Sequence, residues 1–529
     1  MSKTPTANLT HWFVVLAIFV AGLHLTFTLP GCGNSVQESE VQPETTSQEP
    51  LKEPHSSETS GADEPSPIIP EEAPIEVSQP EPGPEPKSEP GSENIPTTGD
   101  GGSIENDGPE LPQPERTGPT VDWASLQWPP VLTTTPGQST ASIYGQVYAK
   151  GITDTGTSHP SPKIQVELGY GPIDKDPAKY PGTWAWTDQV TFHKRAGLNG
   201  NNYEFKGKLK VAKPGWYRYT YRYAINNGPW TLGDRNDYNR KGSSDGSTLE
   251  QMGTMVVVKP GSQIRVASYN LHCQVEQPQR RMQEIAKALA KLKPDVVALQ
   301  EVCQSQASGS VHSAAQLSKL LKQEGAGDYA ALFVSTHTAN HDGKAFQEGL
   351  GLLSRLPILE HASTELPPQG QRPSGAFPRK ALWARLASPV GIVSLASTHL
   401  SFRREHEAWR ITQVEALKTW LADTERQAHI TLVAGDYNAS PDSSPILTMQ
   451  ASGKPANTPA YLDALKSMDG GNTFPARNPS IRIDYLFLHQ PPNTTPTIKV
   501  QSGQRILKQP VGGLYLSDHI GILAVLLAQ

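Results

Sequence analysis

The chain has 529 residues, with 46 Lys+Arg against 52 Asp+Glu and a formal charge of −6, and this length excludes a single ordinary domain. The small net charge hides a split: residues 33–119 carry 20 acidic and 3 basic side chains, whereas residues 120–529 carry 32 acidic and 42 basic ones. The C-terminal part is mildly basic, as suits a phosphate-bearing partner, but lacks the dense Lys/Arg clusters of a dedicated nucleic-acid-binding protein.

Residues 1–32 hold one charged side chain, Lys3, followed by an apolar run over 13–29 that reads as the core of an export signal. The run ends in Leu29-Pro30-Gly31-Cys32, which resembles a bacterial lipobox and makes Cys32 the candidate lipidation site; Pro30 is an unusual occupant of its middle position. A plainly cleaved signal and a single membrane helix are the alternatives. Each reading exports the rest of the chain, so the expectation is a membrane-anchored lipoprotein at the outer membrane or cell surface. Residues 33–119 are mostly Pro, Glu, Ser, Thr and Gly. Such a segment cannot bury enough apolar surface to offset the entropy of ordering it, and a disordered tether is expected.

Residues 120–260 show short alternating runs, at 141–148, 164–170, 203–211, 216–223 and 254–258, broken by Gly, Pro, Asn and Asp. Period-two alternation at this spacing predicts a small all-β sandwich, immunoglobulin-like or carbohydrate-binding-like. Trp184, Trp186 and Trp230 could stack on sugars as exposed rings, or could be core and edge residues of a spacer.

Residues 261–529 alternate strands with helices. Strands are predicted at 264–269, 295–299, 349–354, 381–386, 391–397, 430–434, 483–488 and 520–527. Helices are predicted at 278–292, 313–323 and 404–423, the first with Met282, Ile285, Ala286 and Leu289 on one face. Strands outnumber helices, which predicts an α+β fold of two facing sheets flanked by helices. Polar residues gather at the strand ends: Asn270 in Ser268-Tyr-Asn, Glu301 in Gln300-Glu, His399 in Ser397-Thr-His, Asp436 and Asn438 in Gly435-Asp-Tyr-Asn, Asp484 after Ile483, and Asp518-His519 before the last strand. A lone polar residue after a strand is usually a turn cap. Six such motifs in this order point to a site.

Together these motifs resemble the endonuclease/exonuclease/phosphatase superfamily, which includes deoxyribonucleases, abasic-site endonucleases, sphingomyelinases and inositol-polyphosphate phosphatases. The resemblance covers residues 264–529 and implies a four-layer αββα sandwich with the site at the strand ends. It also implies hydrolysis of a phosphoester by activated water, with a Mg²⁺ ion (Mn²⁺ as the alternative) neutralising phosphoryl charge. Glu301 is then the metal anchor, with Asn270 and Asp518 completing the shell directly or through water. Asp436 orients or deprotonates the water, Asn438 holds phosphate or water, and His519 contacts the phosphoryl group with Asp484 on its far nitrogen. His399 is expected to pair with Glu348, and Arg379 to contact phosphate. His272 is expected to be structural. If the loops bearing Asn270 and Glu301 converge, Cys273 and Cys303 come within disulfide range.

A nuclease is the first substrate reading. A sphingomyelinase-like lipid phosphodiesterase and a phosphomonoesterase are the alternatives, and a non-catalytic surface lipoprotein is the reading from another class.

Overall fold

The computed structural model describes residues 116–529 apart from 236–241, 274, 306–310, 342–343, 371–375, 424–427 and 467–470. The expected export signal, the candidate lipidation site Cys32 and nearly all of the tether lie outside the described residues. Among the described residues no helix is long and apolar enough to cross a membrane.

Two sheets face each other between residues 123 and 257. One orders Asp234–Arg235, Trp123–Trp128, Ile143–Tyr148, Asn202–Gly207 and Val190–Ala196. The other orders Val131–Thr134, Gly253–Val257, Gly215–Ile225, Ile164–Pro172 and Ala185–Thr187. The alternation at 216–223 has a direct cause: Tyr219, Tyr221 and Tyr223 point into the space between the sheets and are wholly buried with Val147, Leu168 and Phe205.

The three tryptophans are not an open platform for sugars. Trp184 is buried, donates its indole N–H to Lys175 O at 2.8 Å and stacks on Trp186 at 5.4 Å. The Arg222 guanidinium covers the rings of Trp186 and Trp230 at 4.1 and 4.4 Å. Trp186 lies against Gly169, where any Cβ would collide with the indole, so the ring is pressed onto its own sheet.

The remaining chain comprises β1 (Gln263–Asn270), α1 (Pro278–Leu292), β2 (Val296–Ser305), α2 (Ser313–Gln323), β3 (Ala330–His341), β4 (Lys344–Ser354), β5 (Ile358–Leu366), β6 (Arg379–Ser388), β7 (Gly391–His399), α3 (Glu407–Ala422), β8 (Ile430–Asp436), α4 (Ser444–Gln450), β9 (Leu462–Asp463), β10 (Asp484–His489), β11 (Ile498–Ile506) and β12 (Gly521–Ala528). Two six-stranded sheets result, ordered β3-β4-β2-β1-β12-β11 and β5-β6-β7-β8-β10-β9.

Three apolar layers join them. Ile285, Ala286 and Leu289 of α1 and Leu317 and Leu321 of α2 pack on the outer face of the first sheet. Val414, Leu417 and Leu421 of α3, with Ile446 and Met449 of α4, pack on the outer face of the second. Between the sheets lie Val266, Ala298 and Leu352 from one and Leu382, Leu395 and Leu432 from the other. Each fully buried large aliphatic side chain contributes about 1.5–3 kcal/mol. The layers are helix, sheet, sheet, helix: the four-layer αββα sandwich.

The core between these sheets extends beyond residues 261–529. Val256 and Val258, at the end of the last β-sandwich strand, belong to the same buried cluster as Leu386, Val390 and Ile392, at the ends of β6 and β7 away from His399. Ile392 N donates to Thr133 Oγ1 at 3.0 Å, and Arg235 and Arg385 both clasp Glu360 at 2.7 Å. The sandwich therefore closes the base of the αββα core rather than hanging from it. Val258→Ala is expected to lower the unfolding free energy by about 1–3 kcal/mol, the scale for deleting buried methyl groups. Denaturant unfolding monitored by tryptophan fluorescence checks this, and a loss below about 0.5 kcal/mol would contradict the shared core.

Candidate active site

His399, Asp436 and Asp484 stand in one row across the second sheet. Parallel pairing of β7 with β8 sets His399 against Asp436, and antiparallel pairing of β8 with β10 sets Asp436 against Asp484. Gly435 permits this close approach, since any Cβ there would collide with the Thr398 carbonyl. In the facing sheet β1 and β2 place Asn270 opposite Gln300. The register then shifts between Leu299 and Val302, leaving Glu301 at φ 51°. This β-bulge re-aims the Glu301 side chain. His272 and Asn438, both at φ 47°, are also left-handed, and such strain in non-glycine residues clusters where structure over-determines a site.

The side chains then meet. Asn270 Nδ2 donates to Glu301 Oε1 at 2.9 Å and to Asp436 Oδ2 at 3.2 Å, so it bridges the two sheets. Asp436 Oδ2 also lies 3.4 Å from His399 Nε2 and 3.5 Å from His519 Nε2, while Asp436 Oδ1 accepts from Asn438 N at 2.9 Å. His519 Nδ1 lies 3.0 Å from Asp484 Oδ2. Asp484 is fixed in turn through its backbone N–H, which donates to Thr473 Oγ1 at 3.2 Å.

Burial sets the electrostatics. It pushes Asp436 up to about 7, with the charges of Asp484 and Glu301 adding to it and His519 opposing. Burial and the Glu301 charge push Glu348 up to about 7. Burial also holds His399 well below the ordinary imidazole range, helped by the positive charges of Arg379, His519 and His337. His519 goes the other way. Burial alone would lower it, but the carboxylates of Asp484 and Asp436 outweigh that and raise it to about 10.

Arg379 is only 5% exposed and makes no side-chain hydrogen bond among the described residues, its Nε being wholly enclosed. The charges it feels are those of Glu348, Asp436 and Glu301. A buried guanidinium without a hydrogen-bonded acceptor is costly unless an anion completes it.

The donor set fits a hard divalent cation: buried carboxylates crowd together and disfavour one another's charge, and oxygen ligands predominate. Among the described residues, Asp436, Asp484 and His519 could hold a metal ion, with ligand atoms within 4.8 Å of one another. His519 is an unfavourable member, because a proton kept on its imidazole by two carboxylates must leave before the ring can ligate. Glu301, joined to Asp436 through Asn270 Nδ2, is a further oxygen donor at this place.

Several expectations need correction. His399 and Glu348 do not pair: β3 and β4 register His337 opposite Glu348, where His337 Nε2 lies 3.8 Å from Glu348 Oε1, and His399 turns to Asp436. Asn270 offers its amide nitrogen to Glu301, and its Oδ1 already accepts from His272 N at 3.0 Å, so as placed it orients carboxylates rather than ligating. Asp518 lies outside the buried group, with Oδ1 3.1 Å from His272 Nδ1. His272 is thus at the site margin, swung there by its left-handed backbone.

Sequence reasoning missed His337, and also Arg281, which donates to the carbonyls of Leu516 (2.8 Å), His272 (2.8 Å) and Leu271. It thereby ties the loop after β1 to the loop bearing Asp518 and His519. No motif marks either residue; a buried Arg on the apolar face of α1 was the one available signal. Cys273 and Cys303 are joined as a disulfide with Cα atoms 5.9 Å apart.

Residues 267–519 match the model of the Endonuclease/Exonuclease/phosphatase family. An inositol phosphosphingolipids phospholipase C of Schizosaccharomyces pombe is 27% identical over 197 residues, covering 35% of this chain and 43% of that protein. Protein angel of Drosophila melanogaster is 26% identical over 218 residues, covering 39% and 58%. The chain therefore spans about half the length of these curated relatives. An endonuclease/exonuclease/phosphatase from Bacteroides vulgatus of known structure is similar at 19% identity and a TM-score of 0.39, over 51% of this chain and all of that one.

In chelator-treated protein, Asp484→Asn is expected to lower the His519 pKa from about 10, because burial is then opposed only by the charges of Asp436 and Asp518. NMR titration of the histidine side chains checks this; an unchanged His519 would contradict the pairing. Since the folded value lies above the unfolded one, the pair's stabilisation is whole below pH about 6.5 and is lost as pH rises through about 10. The variant should lose most of that pH dependence.

Proposed function

We propose that the protein, whose residues 267–519 match the Endonuclease/Exonuclease/phosphatase family, is a Mg²⁺- or Mn²⁺-dependent phosphodiesterase that hydrolyses nucleic acid outside the cytoplasm. The observation that carries the reading is the convergence of Glu301 and Asp436 on Asn270 Nδ2, at 2.9 and 3.2 Å, with the buried Arg379 guanidinium within the field of these carboxylates and Glu348. An anion site adjoins a cation site, and a metal-bound phosphoester satisfies both. When bound, the cation neutralises phosphoryl charge and polarises the ester.

The chain's own residues account for the rest. Arg379 grips a phosphoryl oxygen, and its fixed, planar donors orient the ester. Asp436, whose Oδ2 is shared by Asn270, His399 and His519, accepts a proton from water as that water's oxygen bonds to phosphorus and the ester P–O bond breaks, the leaving oxygen departing as an alkoxide that takes a proton from solvent. His519, kept protonated by Asp484, stabilises charge gathering on the phosphoryl oxygens. Asn438 holds Asp436 in place through its backbone N–H. Glu301 supplies the anionic oxygen that anchors the cation.

Export rests on the apolar N-terminus, with anchoring at Cys32 part of the same proposal. The Cys273–Cys303 disulfide supports it, since structural disulfides belong to oxidising compartments. A lipid phosphodiesterase is the second reading, favoured by the name of the S. pombe relative.

Purified protein with Mg²⁺ or Mn²⁺ is expected to cleave single-stranded or plasmid DNA, RNA or bis-p-nitrophenyl phosphate in preference to sphingomyelin. Chelator should abolish the activity, and Glu301→Ala should lower it by about 10²-fold or more, the scale of losing a preorganised charge-stabilising group. No turnover on the whole panel would overturn the proposal, and sphingomyelin as the preferred substrate would select the second reading.

A further inference from the structure

A stack of rings leads from the site to solvent. His337, which faces Glu348 at 3.8 Å, lies nearly parallel to Phe377, with centroids 4.2 Å apart and planes 20° apart. Phe377 continues to Phe402 at 6.2 Å and 23°. Phe402 returns to the site, because the Arg379 guanidinium carbon lies 5.9 Å from its ring centre. His337 is buried at the inner end, whereas Phe377 is 38% and Phe402 47% exposed.

Exposed phenylalanines are ordinarily held loosely, but the backbone here is not loose. Arg410, nearly buried, donates to the carbonyls of Ser401 at 2.8 Å and Arg403 at 2.7 Å, on either side of Phe402. Gln413 donates to Ser401 Oγ at 2.9 Å. A rigid loop thus presents an apolar ring to solvent beside a buried arginine whose Nε has no acceptor among the described residues. The Arg403 guanidinium adds positive charge 5.8 Å from the same ring.

We propose that Phe402, backed by Phe377 and His337, is the stacking platform for the nucleobase attached to the phosphate that Arg379 grips, making single-stranded nucleic acid the substrate class. This inference rests on the phosphodiesterase reading above. A flat ring next to a phosphate grip matches a nucleotide, in which a planar base accompanies each phosphate, and base–aromatic stacking tolerates any sequence. A membrane contact would also use exposed phenylalanines. However, it gains nothing from a parallel stack rooted in the site, or from a ring 5.9 Å from a buried guanidinium.

The test compares hydrolysis of a single-stranded DNA oligonucleotide with that of the same oligonucleotide carrying abasic residues, for wild type, Phe402→Ala and Phe402→Trp. It also measures quenching of 2-aminopurine in a hydrolysis-resistant phosphorothioate version. Wild type is expected to favour the oligonucleotide with bases by about tenfold in kcat/KM, equal to roughly 1.4 kcal/mol, and to quench 2-aminopurine. Phe402→Ala, with an unaltered melting temperature, should raise KM until the preference disappears and should lose the quenching, and Phe402→Trp should restore both.

Equal wild-type kcat/KM for the two oligonucleotides, or a preference that survives in Phe402→Ala, would overturn the platform while leaving the phosphodiesterase standing, provided bis-p-nitrophenyl phosphate is still cleaved. Loss of binding to sphingomyelin/phosphatidylcholine vesicles in Phe402→Ala, with the base preference intact, would overturn it in favour of a membrane contact. Wild type inactive on every phosphodiester removes both proposals.

Discussion

The site depends on strand register. His399, Asp436 and Asp484 lie in one row across β7, β8 and β10 because three strands are paired without a slip. Moving any one of them by a residue would turn its functional side chain to the opposite face of the sheet. Gly435 lets β8 approach β7 closely enough for that register, and the buried cores on both faces of the sheet hold it. The β-sandwich enters through the same constraint: Val256 and Val258 fill the far end of the core between the sheets, so the elements bearing the row are braced from outside the two sheets that carry them.

Given the register, the chemistry follows from burial. Asp436 and Asp484 are carboxylates held away from water, Glu348 is half-buried, and Arg379 and His519 are positive groups beside them. The compensation is incomplete. Asp436 and Glu348 are pushed toward neutrality, whereas Arg379 has charge nearby but, among the described residues, no hydrogen-bond acceptor on its Nε. Such a cluster is poorly matched to itself and well matched to a cation carrying a phosphate. Glu301, His272 and Asn438 hold left-handed backbone angles beside this cluster.

Much of this was legible in the sequence. The buried central strands announced themselves as apolar runs, and the polar residues at their ends could be read as one constellation. The strands that escaped notice, β3, β5, β9 and β11, all lie at or form sheet edges. There the burial pattern is half exposed, as in β5 and β11, and the apolar signal is weak. The site residues that escaped notice share a different cause. His337 reaches the site through cross-strand register with Glu348, and Arg281 through hydrogen bonds to two loops more than 200 residues apart in places. Neither relation leaves a local motif. His399 was assigned the wrong carboxylate for the same reason: which acid faces a histidine is decided by which strands are neighbours. Of the two readings of the sandwich tryptophans, the core-and-edge one fits the structure, where the arginine and glycine that cover them lie on other segments.

Anomalous diffraction from crystals grown with Mn²⁺ and inorganic phosphate tests the central claim most directly. The account predicts a manganese peak about 2.1 Å from a Glu301 carboxylate oxygen, with the phosphate hydrogen-bonded to the Arg379 guanidinium and its remaining oxygens toward His519. A peak on Asp484 and His519 with Glu301 uncoordinated, or a phosphate bound away from Arg379, would contradict it.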